Sequence, residues 1–233
     1  MSNYVSDGDV MSVFCLKIIA LITMIIDHYG AIFEGHVHMY RIIGRIAFPI
    51  YCFLLTEGYL HTKDVKKYAL RLFIFALISE LPFDLAFFEE LGFEHQNIFF
   101  TLFIGLIAIH VIHIASEKSM KQRLAVTALA IIISFAAASL LRVDYKIIGI
   151  IYILAFYLTR NLPKHQRFFA VAAAMLITNF IMSASVLQQY SLISLIFLYF
   201  YNKEPGLSNK LLQLSFYAAY PIHLFIFYLM RIL

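Results

Sequence analysis

The chain has 233 residues, of which 62% are hydrophobic and 14% charged, and its mean hydropathy is +0.83. A soluble domain carries roughly a quarter charged residues, so this composition excludes one and points to an integral membrane protein. The net charge of +4 is explained by topology and anionic lipid headgroups and calls for no nucleic-acid partner.

The opening MSNYVSDGDV holds Asp7 and Asp9 where a signal peptide would hold a basic patch, and no small-residue cleavage site follows. A short polar tail, residues 1–11, is therefore expected before a first helix that is retained. Apolar runs of the roughly 17 to 25 residues needed to cross a hydrocarbon core recur from Val13 to Leu233 with short polar breaks. They predict a single membrane domain, 1–233, that is all-α: a polytopic bundle of about nine transmembrane helices. These lie near 13–33, 40–61, 68–89, 97–115, 122–140, 146–159, 167–184, 189–201 and 209–231. Backbone in lipid must satisfy its own hydrogen bonds, and the runs lack the alternation of barrel strands, so the spans are helical. The sixth and eighth are short, which suits a small tilt or a partly re-entrant path. Cys15 and Cys52 both fall inside apolar runs and read as packing residues rather than a disulfide or metal pair, so no metal is expected.

Lysine and arginine set the orientation. With nine spans and a cytoplasmic N-terminus, the inner connections hold Lys63, Lys66, Lys67, Arg71, Lys118, Lys121, Arg123, Arg160, Lys164, Arg167, Lys203 and Lys210, twelve of the eighteen basic residues. The outer connections FEGHVHMY and FEELGFEHQN are acidic or histidine-bearing and contain no lysine. A multi-pass protein of the bacterial cytoplasmic membrane fits this sign pattern.

Asp27, His28, Arg41, Arg45, Glu57, Glu80 and Asp84 remain as polar residues within or at the ends of the first three spans. A charge near a helix centre costs about 2.5 to 3.5 kcal/mol on insertion scales, so these groups must pair or face a water-filled cavity. A structural ion-pair network between helices is one account, and a functional cavity the other. Arg41 and Arg45 stand four apart on one helical face, and two forked guanidinium groups suit phosphate or carboxylate. Glu80 and Asp84 share a face around Pro82, which should kink the third helix. Lys17 and His28, eleven apart, also share a face, separated by about 16 Å along the axis. Asn97, Thr101, Asp144 and Tyr145 fall toward the same outer side, as lining of a polar cavity. In the last helix Tyr220, Pro221 and His223 interrupt an aromatic run; His223 is either a packed, hydrogen-bonded residue or part of the same lining.

Taken in order, DH in the first helix, RIIGRIAFPIYCFLLTEGYLHT, YALRLFIFALISELPFD, NIFFTLFIG, DYKIIGI and FYAAYPIHL resemble the TraX family, whose namesake acetylates the amino terminus of conjugative pilin. The similarity runs from about Lys17 to Leu224, and its most specific string is RxxGRxAFPxYxFxxxEG, Arg41 to Gly58. TraX proteins in turn resemble a wider group of membrane acyltransferases acting on cell-surface sugars. There a basic residue precedes a first-helix histidine by eleven positions, as Lys17 precedes His28, and an arginine pair follows, typically three apart where Arg41 and Arg45 are four apart.

The resemblance implies acetyl transfer from acetyl-CoA, with Lys17, Arg41 and Arg45 handling the donor, and an extracytoplasmic protein or glycan as acceptor. The residues are compatible with that chemistry. A thioester has a good leaving group, so the enzyme has mainly to position and deprotonate the acceptor and stabilise an oxyanion. His28 is the candidate general base, and Glu57, Glu80 and Asp84 are candidates for the carboxylate that orients it. Asp27 lies about 100° around the helix from His28 and reads as a partner of Arg41 or Arg45. A transporter or flippase with a polar cavity, and a non-catalytic pilus or secretion assembly protein, are the alternative classes.

Overall fold

The computed structural model describes residues 10–183 and 185–233, so Asp7, Asp9 and most of the polar tail lie outside the described residues. The described chain is an all-α bundle. Its elements are α1 Val13–Ile32, α2 His38–Gly44, α3 Ala47–His61, α4 Val65–Phe88, α5 Ile98–Ala115, α6 Met120–Leu140, α7 Lys146–Leu158, α8 Lys164–Met182, a 3-10 helix Val186–Ile193 that runs into α9 Ser194–Tyr199, and α10 Lys210–Ile232.

Counting α2 with α3, and the 3-10 helix with α9, reproduces the nine expected segments. Five of them, Val13–Ile32, His38–His61, Ile98–Ala115, Met120–Leu140 and Lys210–Ile232, are long and apolar enough to cross a membrane. The protein is a membrane protein. Its apolar exterior agrees: Leu129, Ile132, Ile133 and Leu140 of α6 are all exposed, whereas α6 buries only Ala130, Ser134 and Ala138. That four-residue spacing of small side chains lets α6 lie close to the bundle, with its large apolar groups directed to lipid.

Two of the expected spans differ in detail. The second is interrupted at Arg45 and Ile46, where the backbone N–H groups turn to tighter contacts, Arg45 N to Ile42 O at 3.3 Å and Ile46 N to Ile43 O at 3.2 Å. Pro49 accounts for it, since proline has no N–H for the Arg45 carbonyl four residues back and its ring crowds that carbonyl. The eighth begins as 3-10 helix rather than α. The short sixth span, α7, is the bundle's axis, with Ile150, Tyr152, Ile153 and Tyr157 fully buried.

Contacts between connections check the alternation. Met11 at the start of the chain pairs with the α9–α10 connection (Met11 N to Phe200 O 2.9 Å, Asn202 N to Met11 O 3.0 Å). The α4–α5 and α6–α7 connections meet at the other end through Asp144 N to Gln96 O at 2.8 Å. At that same end Arg231 of α10 is ion-paired with Glu89. An even number of crossings separates each pair, as nine spans require, and the lysine-rich connections all share the end at which α1 begins.

A single cysteine at Glu90 and one at Lys121, each introduced into a chain lacking Cys15 and Cys52, are expected to react with impermeant maleimide from opposite sides of the membrane. Labelling of both from one side would remove the nine-span arrangement.

Candidate functional site

Asp27 is 92% removed from solvent, with 8% exposure, and both of its carboxylate oxygens lie 2.9 Å from Arg45 Nη2. Arg41 Nη1 donates to Asp27 Oδ2 at 3.2 Å and to the Asp27 backbone carbonyl at 3.1 Å. One carboxylate thus separates two guanidinium groups, the arrangement that their shared helical face demanded. The α1–α2 contact is close enough that a Cβ on Gly44 would meet the Asp27 carboxyl. Arg45 has further partners: Nε donates to the Arg41 carbonyl at 3.4 Å and Nη1 to Gln188 Oε1 at 3.4 Å, and its guanidinium lies 5.8 Å over the Tyr145 ring. Tyr145 stacks on Phe48 at 3.8 Å.

His28, next in sequence but around the helix, faces α10. Its Nδ1 lies 2.7 Å from His223 Nε2, the rings are near parallel at 14°, and His223 Nδ1 lies 2.7 Å from the Ala219 carbonyl. Phe87 and Tyr220 abut the His28 ring edge-on.

Two cavities adjoin this region. The outer, about 230 Å³, is lined by Asp27, His28, Arg41, Arg45, Asp144 and Tyr145 among others, and reaches His95 and Gln96 of the α4–α5 connection. The larger, about 640 Å³, opens toward the lysine-rich end and is lined by Lys17, Glu57, His61, Lys63, Arg71 and Lys203 among others. Met24, Tyr51, Ile98 and Tyr220 line both, so they form the wall between them.

The family model described as "TraX protein" matches residues 12–231. The chain belongs to the TraX family. A protein of Dichelobacter nodosus, named probable fimbrial assembly protein FimC of serogroup H1, is 29% identical over 240 residues, covering 91% of this chain and 93% of that protein. An uncharacterised protein of Rickettsia prowazekii (strain Madrid E) is 33% identical over 90 residues, 39% of this chain and 33% of that protein. No solved structure matches the chain.

Of the residues singled out in this TraX sequence, His28, Asp27, Arg41, Arg45, Asp144, Tyr145 and Tyr220 converge on the outer cavity, with His223 behind His28. Lys17 lies in the inner cavity, on the other side of the wall from His28. The three carboxylates considered as partners of His28 are engaged elsewhere. Glu80 accepts from Asn97 Nδ2. Asp84 Oδ2 accepts from the Gly92 N–H at 3.0 Å, closing the turn after α4. Glu57 meets Arg167 at 3.6 Å and the Tyr201 hydroxyl at 3.3 Å, pinning α3 to the start of α8. Asn97 caps α5, its Oδ1 accepting from Phe99 N at 3.0 Å, and Thr101 donates to the Asp144 carbonyl. These side chains anchor helix ends; His28 is held by an imidazole instead.

Gln188 was not legible in the sequence. It sits in a buried cluster with Tyr152, Asn179 and Ser191: Tyr152 and Ser191 hydroxyls lie 3.0 Å apart, and Asn179 Nδ2 donates to the Gln188 carbonyl at 2.9 Å. Gln188, Gln189, Ser191 and Ser194, interspersed in an otherwise apolar run, were the only hint. Among the described residues no group of three His, Cys, Asp or Glu side chains is placed to hold a metal, and Cys15 and Cys52 are free thiols.

Removing one partner from a buried ion pair strands the other charge, at a cost of about 3 to 5 kcal/mol. Asp27→Asn is therefore expected to lower the melting temperature in detergent sharply, and Gly44→Ala, which drives a methyl into the same carboxyl, to lower it as well. Unchanged melting of both variants in circular dichroism would show that the triad does not hold α1 to α2.

Proposed function

We propose that this TraX protein is an acetyltransferase of the bacterial cytoplasmic membrane, which moves an acetyl group from cytosolic acetyl-CoA to an extracytoplasmic protein or glycan, with His28 as general base. The observation that supports it most is the pair of cavities sharing one thin wall. A basic chamber, with Lys17, Lys63, Arg71 and Lys203 around it, faces the lysine-rich end. His28 lies in the chamber beyond. Positive charge on a cytosolic face suits the nucleotide phosphates of a coenzyme A thioester, while its flexible arm passes Met24 and Tyr51 to present the thioester to His28.

The reaction then balances within the outer chamber. The acceptor hydroxyl or amine gives its proton to His28 as its lone pair bonds to the thioester carbonyl carbon, whose π electrons move to oxygen. Arg41 engages Asp27 through Nη1, and its remaining N–H groups on the chamber wall are the donors for that oxyanion. Collapse of the intermediate restores the carbonyl, breaks the C–S bond and releases a thiolate, which takes the proton from the His28 imidazolium. The products are the acetylated acceptor and the free coenzyme A thiol.

The name of the Dichelobacter relative favours a pilus-type protein as acceptor. It also favours a second reading, in which the chain assists fimbrial assembly without chemistry. Mass spectrometry of cell-surface material from a deletion strain and its complemented parent separates the two. Complementation with His28→Ala is expected to leave the surface unacetylated, because general-base catalysis supplies about 10² to 10⁴ in rate, while the purified variant still binds radiolabelled acetyl-CoA. Lys17→Gln and Arg71→Gln should weaken that binding with His28 intact. Normal acetylation by His28→Ala would sink the proposed role; normal assembly without any acetyl mark would favour the non-catalytic reading.

A further inference from the structure

We infer that His223 is a positioning residue that fixes the tautomer of His28, so that Nε2 of His28 carries the lone pair that takes the acceptor's proton. The inference rests, for its catalytic consequence, on the acetyltransferase reading; its geometric half does not. A backbone carbonyl can only accept a hydrogen bond, so the 2.7 Å contact of His223 Nδ1 with the Ala219 carbonyl places a proton on that nitrogen. In a neutral ring the other nitrogen, Nε2, is then an acceptor. It lies 2.7 Å from His28 Nδ1, which must donate, and a neutral His28 is left with its proton on Nδ1 and a bare Nε2. One main-chain carbonyl in α10 thus determines, through two rings, which nitrogen of a histidine in α1 is basic.

The rings have little freedom to escape this pattern. Phe87 and Tyr220 stand edge-on to His28 at 5.3 and 5.7 Å between centroids, and Tyr220 and Phe227 do the same to His223 at 5.7 and 5.6 Å. His223 is 7% exposed, and it is absent from the lining of the outer cavity while His28 is part of it. It is therefore placed to act through His28 and not on substrate. A carboxylate in this position would fix the same tautomer but add a buried negative charge; an imidazole fixes it with no added charge. When His28 takes up a proton on Nε2, its Nδ1–H bond to His223 is unchanged, so the base returns to the same tautomer after each cycle.

The alternative arrangement has a proton on His223 Nε2 donating to His28 Nδ1, which would put the remaining His28 proton on Nε2 and disable it as a base. Nitrogen NMR distinguishes the two in the full-length protein in lipid nanodiscs, labelled with ¹⁵N-histidine, with the His28 signals assigned by their loss in His28→Ala. The expected wild-type spectrum has a protonated Nδ1 and an unprotonated Nε2 for His28. In His223→Leu, which removes the acceptor, the Nδ1 form should no longer dominate, and kcat should fall by about 10²-fold or more with KM for acetyl-CoA unchanged. His223→Gln, whose side-chain oxygen reaches roughly the place of Nε2, should restore most of both. A wild-type His28 protonated on Nε2 overturns the inference whatever the activity. A wild-type rate and tautomer in His223→Leu overturn it too. The expected tautomer in a protein that transfers no acetyl group supports the relay and overturns only the acetyltransferase reading.

Discussion

The ion triad of Asp27 with Arg41 and Arg45 is the contact on which the rest of this bundle depends. A carboxylate at that depth in lipid is unfavourable alone, and two guanidinium groups on one face repel; each problem is the other's solution. Because Asp27 is drawn toward α2, the next residue is carried about 100° around α1, which turns His28 toward α10. The close approach at Gly44 and the break at Arg45 belong to the same arrangement. Pro49 stops the helix from running straight through, and the freed turn aims Arg45 at Asp27 on one side and Gln188 on the other.

Charge compensation also separates the roles of the two arginines. Arg45 is spoken for: Nε, Nη1 and Nη2 each have a hydrogen-bond partner, and its face lies over Tyr145. Arg41 has its contacts through Nη1 and a side chain 27% exposed, against 14% for Arg45. Two residues that look equivalent in the RxxGR string therefore divide into a structural cation and one with donors to spare. The same economy shows in the inner cavity. Glu57, which could have neutralised Lys17 or Arg71 across that space, is occupied by Arg167 and Tyr201, and the chamber keeps its positive lining.

What could be read from the sequence follows from what the physics makes local. Nine segments, their end-to-end alternation and the pairing of Asp27 with the arginines rest on hydropathy, lysine placement and the cost of unpaired charge, all of which act along the chain or on short spacings. The break at Arg45 was in principle visible in Pro49, but an apolar run on both sides masks it. Glu80 and Asp84 were drawn to the site because a carboxylate near a proline looks the same whether it anchors a helix end or serves a reaction; the difference lies in which donors stand opposite, and that is set by a chain turn. His223 lies 195 positions from His28. Helical periodicity gives a residue's depth and face, but not which neighbouring helix that face meets, so the pairing of α1 with α10 could only come from the fold.

The wall between the cavities explains why such a fold would keep the two chambers distinct. A continuous passage lined by Lys17 at one end and His95 at the other would be a water path through the bundle, dissipating ion gradients and hydrolysing any thioester that entered it. Four side chains close it: Met24 and Ile98 are apolar, and Tyr51 and Tyr220 carry their hydroxyls on large apolar rings. Methionine, unbranched and with three rotatable bonds, is the member able to yield to a narrow flexible arm without moving a helix, whereas Tyr220 is held by Phe99 and His28 at 5.4 and 5.7 Å between centroids. Under the proposed acetyltransferase reading, the coenzyme's arm would therefore cross at Met24 while Tyr220 stays in place. His28 lies immediately beyond the barrier, in the outer chamber, which is where that reading puts the transfer.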